Sequence, residues 1–214
     1  MAKSIASLAQ SLGTAAKLFR LLRKDGLPDE AIHLPIDDSE MRRRLVRFWA
    51  NGGHEWLVWR RLKFGTVELP TMAEYSSALE AANCQSSSCA DSLFWRLVQT
   101  VVEPQTELDL VDATVEEIGF PQGAHRGEIY ARAKRQGLDL CPQKTGPQLR
   151  LEYLDQPAGE LLHVAMEPIA IGQDGEHGVW CIEHGKDGLW LDSADGSVLV
   201  FWPADTRWIW CRRR

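Results

Sequence analysis

Residues 178–192 read GVWCIEHGKDGLWLD, and this run decides the fold class. Val179 to Ile182 lead into Gly185-Lys-Asp-Gly188, and Leu189, Trp190 and Leu191 follow. β-Branched and aromatic residues on both sides of a short, glycine-bounded connection mark a hairpin. The same period of two runs through 149–154 (LRLEYL), 160–167 (ELLHVAME) and 207–212 (RWIWCR). The connections at 155–159, 172–178 and 195–196 are short and rich in Gly, Pro and Asp, as turns require. The pattern predicts an antiparallel meander from residue 148 onward. Trp180, Trp190, Trp202, Trp208 and Trp210 fall within it, so the sheet is expected to pack an aromatic face.

Upstream the period changes. Residues 107–112 alternate apolar and acidic and predict one more strand. Thr114-x-x-Glu117 is a capping box for a single turn closed by Gly119. Thr71-x-x-Glu74 opens a helix running to about Ala82, and Ser88 or Asp91 starts another with Leu93, Phe94 and Leu97 on its apolar side. Residues 124–136 form an amphipathic helix with Ile129, Tyr130 and Ala133 inward. Its Arg126, Arg132, Lys134 and Arg135 suggest a DNA-reading helix, but the preceding five-residue loop with its proline argues against a helix-turn-helix. Residues 55–64 (EWLVWRRLKF) predict a strand with a basic centre, and 4–24 and 40–50 predict helices around the Pro- and Asp-rich linker 25–38. The expected fold is α+β: N-terminal helices, then helices packed on an antiparallel, tryptophan-rich sheet. Residues 1–60 form a basic helical region and 61–214 an α+β domain.

Composition narrows the class. In 214 residues, 44% hydrophobic and 25% charged side chains exclude disorder and low complexity. No stretch offers the roughly 20 uncharged apolar residues that a membrane span needs. The net charge of −6 conceals a basic front, +5 over residues 1–64, and an acidic body, −11 over 65–214. Five cysteines are an odd count, and the N-terminus lacks the compact apolar core of a secretory signal, so a reducing cytoplasm with free thiols is expected. Cys84-x4-Cys89 has no second Cys/His pair at finger spacing, which speaks against a metal. Dinucleotide, phosphate-loop and nucleophile-elbow motifs are absent, so no cofactor is expected.

Three sets of residues compete for function. Ile5, Leu8, Leu12, Ala15, Phe19 and Leu22 form a seam at 3,4 spacing, suited to a protein partner, to self-association or to docking on the body. Arg42, Arg43, Arg44, Arg47, Arg60, Arg61 and Lys63, with Trp56 and Trp59 beside them, could hold phosphates and stack bases. Strand parity could also gather Arg150, Glu152, His163, Glu167 and Glu183 on one sheet face, where a histidine among carboxylates serves as a general base for hydrolysis. The bland readings are a wet basic face and a solvated sheet face, and they outweigh the second and third sets. The favoured function is a non-enzymatic interaction module, with nucleic-acid binding and then a hydrolase as alternatives.

Several short stretches carry a resemblance: 107-ELDL-110, 117-EIGF-120, 128-EIY-130, 140-LCP-142, 146-GPQLRL-151, 155-DQP-157, 165-AMEPI-169 and 188-GLWL-191. Over these, and over 62–83, the chain resembles a family of small bacterial proteins for which no function is established. The resemblance implies a bacterial, soluble, self-contained domain and no particular activity.

Overall fold

The computed structural model describes residues 54–63, 72–98, 107–171 and 176–213. The chain divides into two units, Met1–Glu55 and Trp56–Arg214. Every element below belongs to the second unit, and the expected helices over 4–24 and 40–50 lie outside the described residues.

The fold is α+β, but its sheet is mixed. In chain order the elements are β1 (Arg60–Lys63), α1 (Met72–Ala81), β2 (Cys84–Ser86), α2 (Ser88–Val98), β3 (Glu107–Thr114) and β4 (Ala124–His125). Then come α3 (Arg126–Arg135), β5 (Leu138–Asp139), α4 (Thr145–Glu152), β6 (Leu161–Val164), β7 (Ile169–Ala170), β8 (His177–Gly185), β9 (Gly188–Asp195), β10 (Phe201–Trp202) and β11 (Arg207–Arg212). The large sheet runs β1-β3-β11-β6-β8-β9-β2, with β5 added to β11 and β7 to β8, while β4 and β10 make a separate pair. The expected hairpin is β8–β9, closed by Gly185 opposite Gly188. Two pairs depart from an antiparallel meander: β11 runs parallel to β6, and β2 parallel to β9. The reason is that β11 enters the middle of the sheet, between β3 and β6, rather than joining its sequence neighbour at the edge.

Residues 149–154 are corrected from strand: 149–152 end α4, Tyr153 is its C-cap and Leu154 lies in the turn beyond. An alternation this short cannot separate strand from helix. Pro147, in the first turn, gives up only an N–H that has no helical partner there. The capping box at 114–117 is present in both directions: Thr114 N donates to Glu117 Oε2 (2.8 Å) and Glu117 N to Thr114 Oγ1 (3.1 Å). Gly119 closes that turn at φ +106°.

Partners across neighbouring strands share a face of the sheet. Trp208, paired with His163, which is itself paired with Cys181, therefore lies on one face, and Trp210 lies two residues further along the same side. Ile209 with Val164, and Leu162 with Ile182 and Leu191, line the other. The first face is covered by α3 and β10. Tyr130 meets Trp208 edge-on (centroids 5.6 Å, 89°) and Trp210 at 5.3 Å, and Trp202 meets Trp208 at 4.7 Å. The second is covered by α4, packed on β8 and β9, and by α2, whose Leu93 lies against Gly178. A sheet sandwiched on both sides has apolar residues at consecutive positions, and Val179 to Ile182 are all buried. The aromatic residues accordingly do not form one face, because Trp180 packs on the α4 side. Its Nε1 donates to the Gln143 carbonyl at 2.7 Å.

Gly146 sits directly on the Trp180 ring, and a Cβ there would approach Trp180 Cγ to 2.3 Å. Gly127, in α3, has open space at the same position. Gly146→Ala should therefore lower stability by about 2 kcal/mol or more through overpacking, whereas Gly127→Ala should be neutral or stabilising by up to ~1 kcal/mol through helix propensity. Urea unfolding of both variants checks this, and equal effects would contradict the packing described.

Candidate functional site

Of the five residues expected on one sheet face, only His163 and Glu183 share one: His163 is paired with Cys181, and Leu161, two residues earlier, with Glu183. Arg150 and Glu152 belong to α4 rather than to a strand, Glu167 is exposed beyond β6, and Glu183 is half-buried on β8 opposite Leu161. Glu152 accepts from Gln148 Nε2 at 2.6 Å, within its own helix.

His163 lies inside the aromatic cluster. Its ring meets Trp202 at 4.8 Å and Trp208 at 5.4 Å, and its Nδ1 faces the Arg207 carbonyl at 3.4 Å. The indole N–H groups of Trp202, Trp208 and Trp210 find no hydrogen-bond acceptor, so ring packing holds the cluster. Burial among these rings penalises the imidazolium and lowers the His163 pKa to about 4, against a weak opposing pull from the Arg207 carbonyl. A neutral, enclosed imidazole with this proton affinity is a packing group rather than a general base for neutral pH.

Arg150 is fully buried. It donates to Gln156 Oε1 (2.5 Å), to the Tyr153 carbonyl and, at 3.5 Å, to the Glu183 carbonyl. Its Nε has no hydrogen-bond partner. Burial lowers its pKa, opposed first by the charge interaction with Cys84 and then by a hydrogen bond to that side chain. Gln156 extends the network, its Nε2 reaching the carbonyls of Glu160 (3.1 Å) and Ile182 (3.2 Å). The guanidinium thus ties the 153–160 loop to α4 and β8 and is not exposed to an anionic substrate. Sequence reasoning missed Gln156, and a lone glutamine in a turn carries no signal for this role.

A second network crosses the sheet at Arg207. Its Nε donates to Asp112 Oδ1 (3.3 Å), its Nη2 to Asp112 Oδ2, and its Nη1 to Glu160 Oε1 (2.7 Å). Tyr153 donates its hydroxyl to Glu160 Oε2 (2.9 Å), and burial, then Glu160, push the phenol pKa up to about 12. These groups close on one another and brace the loop.

The basic candidates divide. Arg42, Arg43, Arg44 and Arg47 lie outside the described residues, as do Leu8, Leu12, Phe19 and Leu22. Arg60 reaches Asp155 (3.2 Å) and lies over the rings of Tyr153 (4.4 Å) and Trp59 (5.3 Å). Arg61 reaches Asp109 (3.2 Å), which also takes Arg212 (2.8 Å), and Lys63 stands opposite Glu107 in the β1–β3 register. Trp59 packs edge-on against Tyr153, and Trp56 donates to the Gln136 carbonyl. Acidic partners and core contacts therefore occupy much of what a phosphate would need. In α3, Arg126 is buried over Tyr130 and Arg132 lies over Phe120, so the basic helix is partly spent on packing as well.

The surface offers a different place. Cys89, Ile171, Glu176, His177, Ser193, Ala194, Asp195 and Ser197 line an open cleft of about 480 Å³. Ser197 begins the turn in which Val198 (56% exposed) and Leu199 (78%) project into solvent, followed by Phe201 (54%) at the start of β10. The turn is fixed in place: Asp195 Oδ1 accepts from Ser197 N (2.7 Å), the His125 ring meets the Leu199 carbonyl (2.9 Å), and Arg126 N donates to the Val200 carbonyl (3.2 Å). Phe201 leans edge-on against His125. Among the described residues no His, Cys, Asp and Glu group is arranged to hold a metal ion, and no helix is long and apolar enough to cross a membrane. Comparison with family models, curated proteins and solved structures found no match. The resemblance to small bacterial proteins thus has no matching family model beside it.

The His163 environment has a consequence in acid. Its folded pKa lies below the ordinary value of 6.5, so between pH 6.5 and 4 the unfolded chain binds the extra proton. The contribution to stability is fully present above 6.5 and is lost as pH falls toward 4, amounting to ~3 kcal/mol. His163→Gln should flatten the stability profile over that window. Equally steep profiles for variant and parent in denaturant titrations at pH 7, 5.5 and 4.5 would contradict the burial of this ring.

Proposed function

We propose that the chain is a non-enzymatic interaction module acting through protein–protein contacts, with the turn 197–201 and the adjoining cleft as its contact surface. The observation that carries this reading is the run of exposed apolar side chains at Val198, Leu199 and Phe201 on a turn whose backbone is held by the side chains of Asp195 and His125. Isolated exposed apolar residues are ordinary, but a contiguous, rigidly presented group beside a cleft is what a binding surface uses. The acidic Glu176 and Asp195 on the cleft wall favour a partner segment that combines an apolar side chain with Lys or Arg. The N-terminal seam of Leu8, Leu12, Phe19 and Leu22 remains part of the proposal as a second contact.

The test is a tagged pull-down from a bacterial lysate, run with and without nuclease, comparing the parent with Leu199→Asp. The parent should retain a stoichiometric protein. The variant should lose it, with affinity weakened by roughly tenfold or more and thermal unfolding unchanged, since Leu199 is exposed. Recovery of nucleic acid alone, or of no partner at all, would overturn the reading.

A further inference from the structure

Two of the cysteines meet in the interior. Cys211 Sγ lies 3.4 Å from Cys141 Sγ, and both thiols are buried, Cys211 at 8% exposure and Cys141 at 4%. Cys89 is exposed, while Cys84 and Cys181 are buried elsewhere. The backbone fixes this approach from both sides. Cys211 is registered against Leu110 of β3 and Asp139 of β5. Cys141 donates its N–H to the Ala165 carbonyl at 2.7 Å and bridges Met166. Arg212 and Arg213, bound to Asp109 and Asp139, hold the end of β11 in place. Two sulfurs held in contact by strand register need only a small side-chain rotation to reach bonding distance.

We propose that Cys141 and Cys211 are a modification site, a dithiol that a peroxide converts to an intramolecular disulfide stapling β11 to the segment between β5 and α4. In the first step the sulfur of Cys211, the more exposed of the two, attacks a peroxide oxygen. An S–O bond forms, the O–O bond breaks, and the Cys211 proton leaves with the departing hydroxide, so that hydrogen peroxide gives a sulfenic acid and one water. In the second step the Cys141 sulfur attacks that sulfenic sulfur, the S–S bond forms, the S–O bond breaks, and the Cys141 proton leaves with the hydroxyl as a second water. Two thiols are thereby oxidised by two electrons and one peroxide is reduced to two waters. Burial pushes the Cys141 thiol well up, so it gives up its proton only as it attacks the sulfenic sulfur, and the enclosure of both sulfurs admits only a small oxidant.

The experiment uses the full chain carrying Cys89→Ser, so that the exposed thiol cannot join two molecules. The reduced protein is treated with hydrogen peroxide and freed of oxidant. It is then denatured in the presence of N-ethylmaleimide and analysed by intact mass and peptide mapping. The expected result is a loss of two labelled thiols out of four, a single crosslinked peptide joining residues 141 and 211, and recovery of all four labels after dithiothreitol. Cys211→Ser in the same background should give no crosslink. Four labels after oxidation, a crosslink through Cys84 or Cys181, or sulfinic acid at Cys211 without a crosslink would each overturn the proposal. The crosslink itself is read on protein with both cysteines intact, so the conclusion does not depend on how the Cys211→Ser variant folds.

Discussion

The placement of β11 in the middle of the sheet is the constraint on which the rest of the structure depends. The strand arrives from the far end of the sequence and inserts between β3 and β6, so its two edges must be satisfied by strands formed much earlier in the chain. It carries Trp208 and Trp210 to one face and Ile209 and Cys211 to the other, and all four are buried. Neither face can be left to water: α3 and Trp202 close one side, while α2 and α4 close the other. Loss of any of the large rings would open a cavity costing on the order of 3–5 kcal/mol, a large share of the stability of a domain this size.

Charge is spent on the same task. Arg207 begins β11 and joins Asp112 of β3 to Glu160, and Glu160 holds Tyr153. Arg150, buried without a carboxylate beside it, gathers the carbonyls of Tyr153 and Glu183 with the Gln156 amide. A buried guanidinium needs hydrogen bonds to offset its desolvation, and here the two Nη groups supply them to the Tyr153 and Glu183 carbonyls and the Gln156 amide, while Nε is left without a partner. Hydrogen bonds, rather than an ion pair, hold this group. Several of the side chains that looked chemically suggestive carry structural contacts, and the contact surface proposed above lies at the other end of β8 and β9.

That surface differs from the core in kind. The cleft between Cys89, His177 and Asp195 is open, and the turn beside it exposes three apolar side chains on a backbone pinned by His125 and Arg126. A preformed turn presents its side chains at little ordering cost, which favours binding by contact rather than by folding of a loop. The Cys141–Cys211 pair lies apart from this surface, within the sheet core, so a staple there would act on the stability of the sheet rather than on the contact surface.

The sequence by itself determined the local elements. The β8–β9 hairpin, the β3 strand, the reciprocal box at Thr114 and Glu117, and α1, α2 and α3 follow from periodicity, turn chemistry and capping, all of which act within a few residues. It also assigned the five C-terminal tryptophans to the packing of the sheet, because burying large rings dominates any other use of them, but put them on one face where the structure uses two. Only the tertiary structure decided that 149–152 is helical, that β11 runs parallel to β6, and that His163 is enclosed while Leu199 is not. The reason is physical. Period-two alternation reports one solvated face, but this sheet is covered on both, so a polar residue on the apparent solvent side can be buried by a helix that the strand's own sequence never mentions. The contact between Cys141 and Cys211, 70 residues apart, belongs to the same class, since strand order across the sheet and not spacing along the chain brings them together.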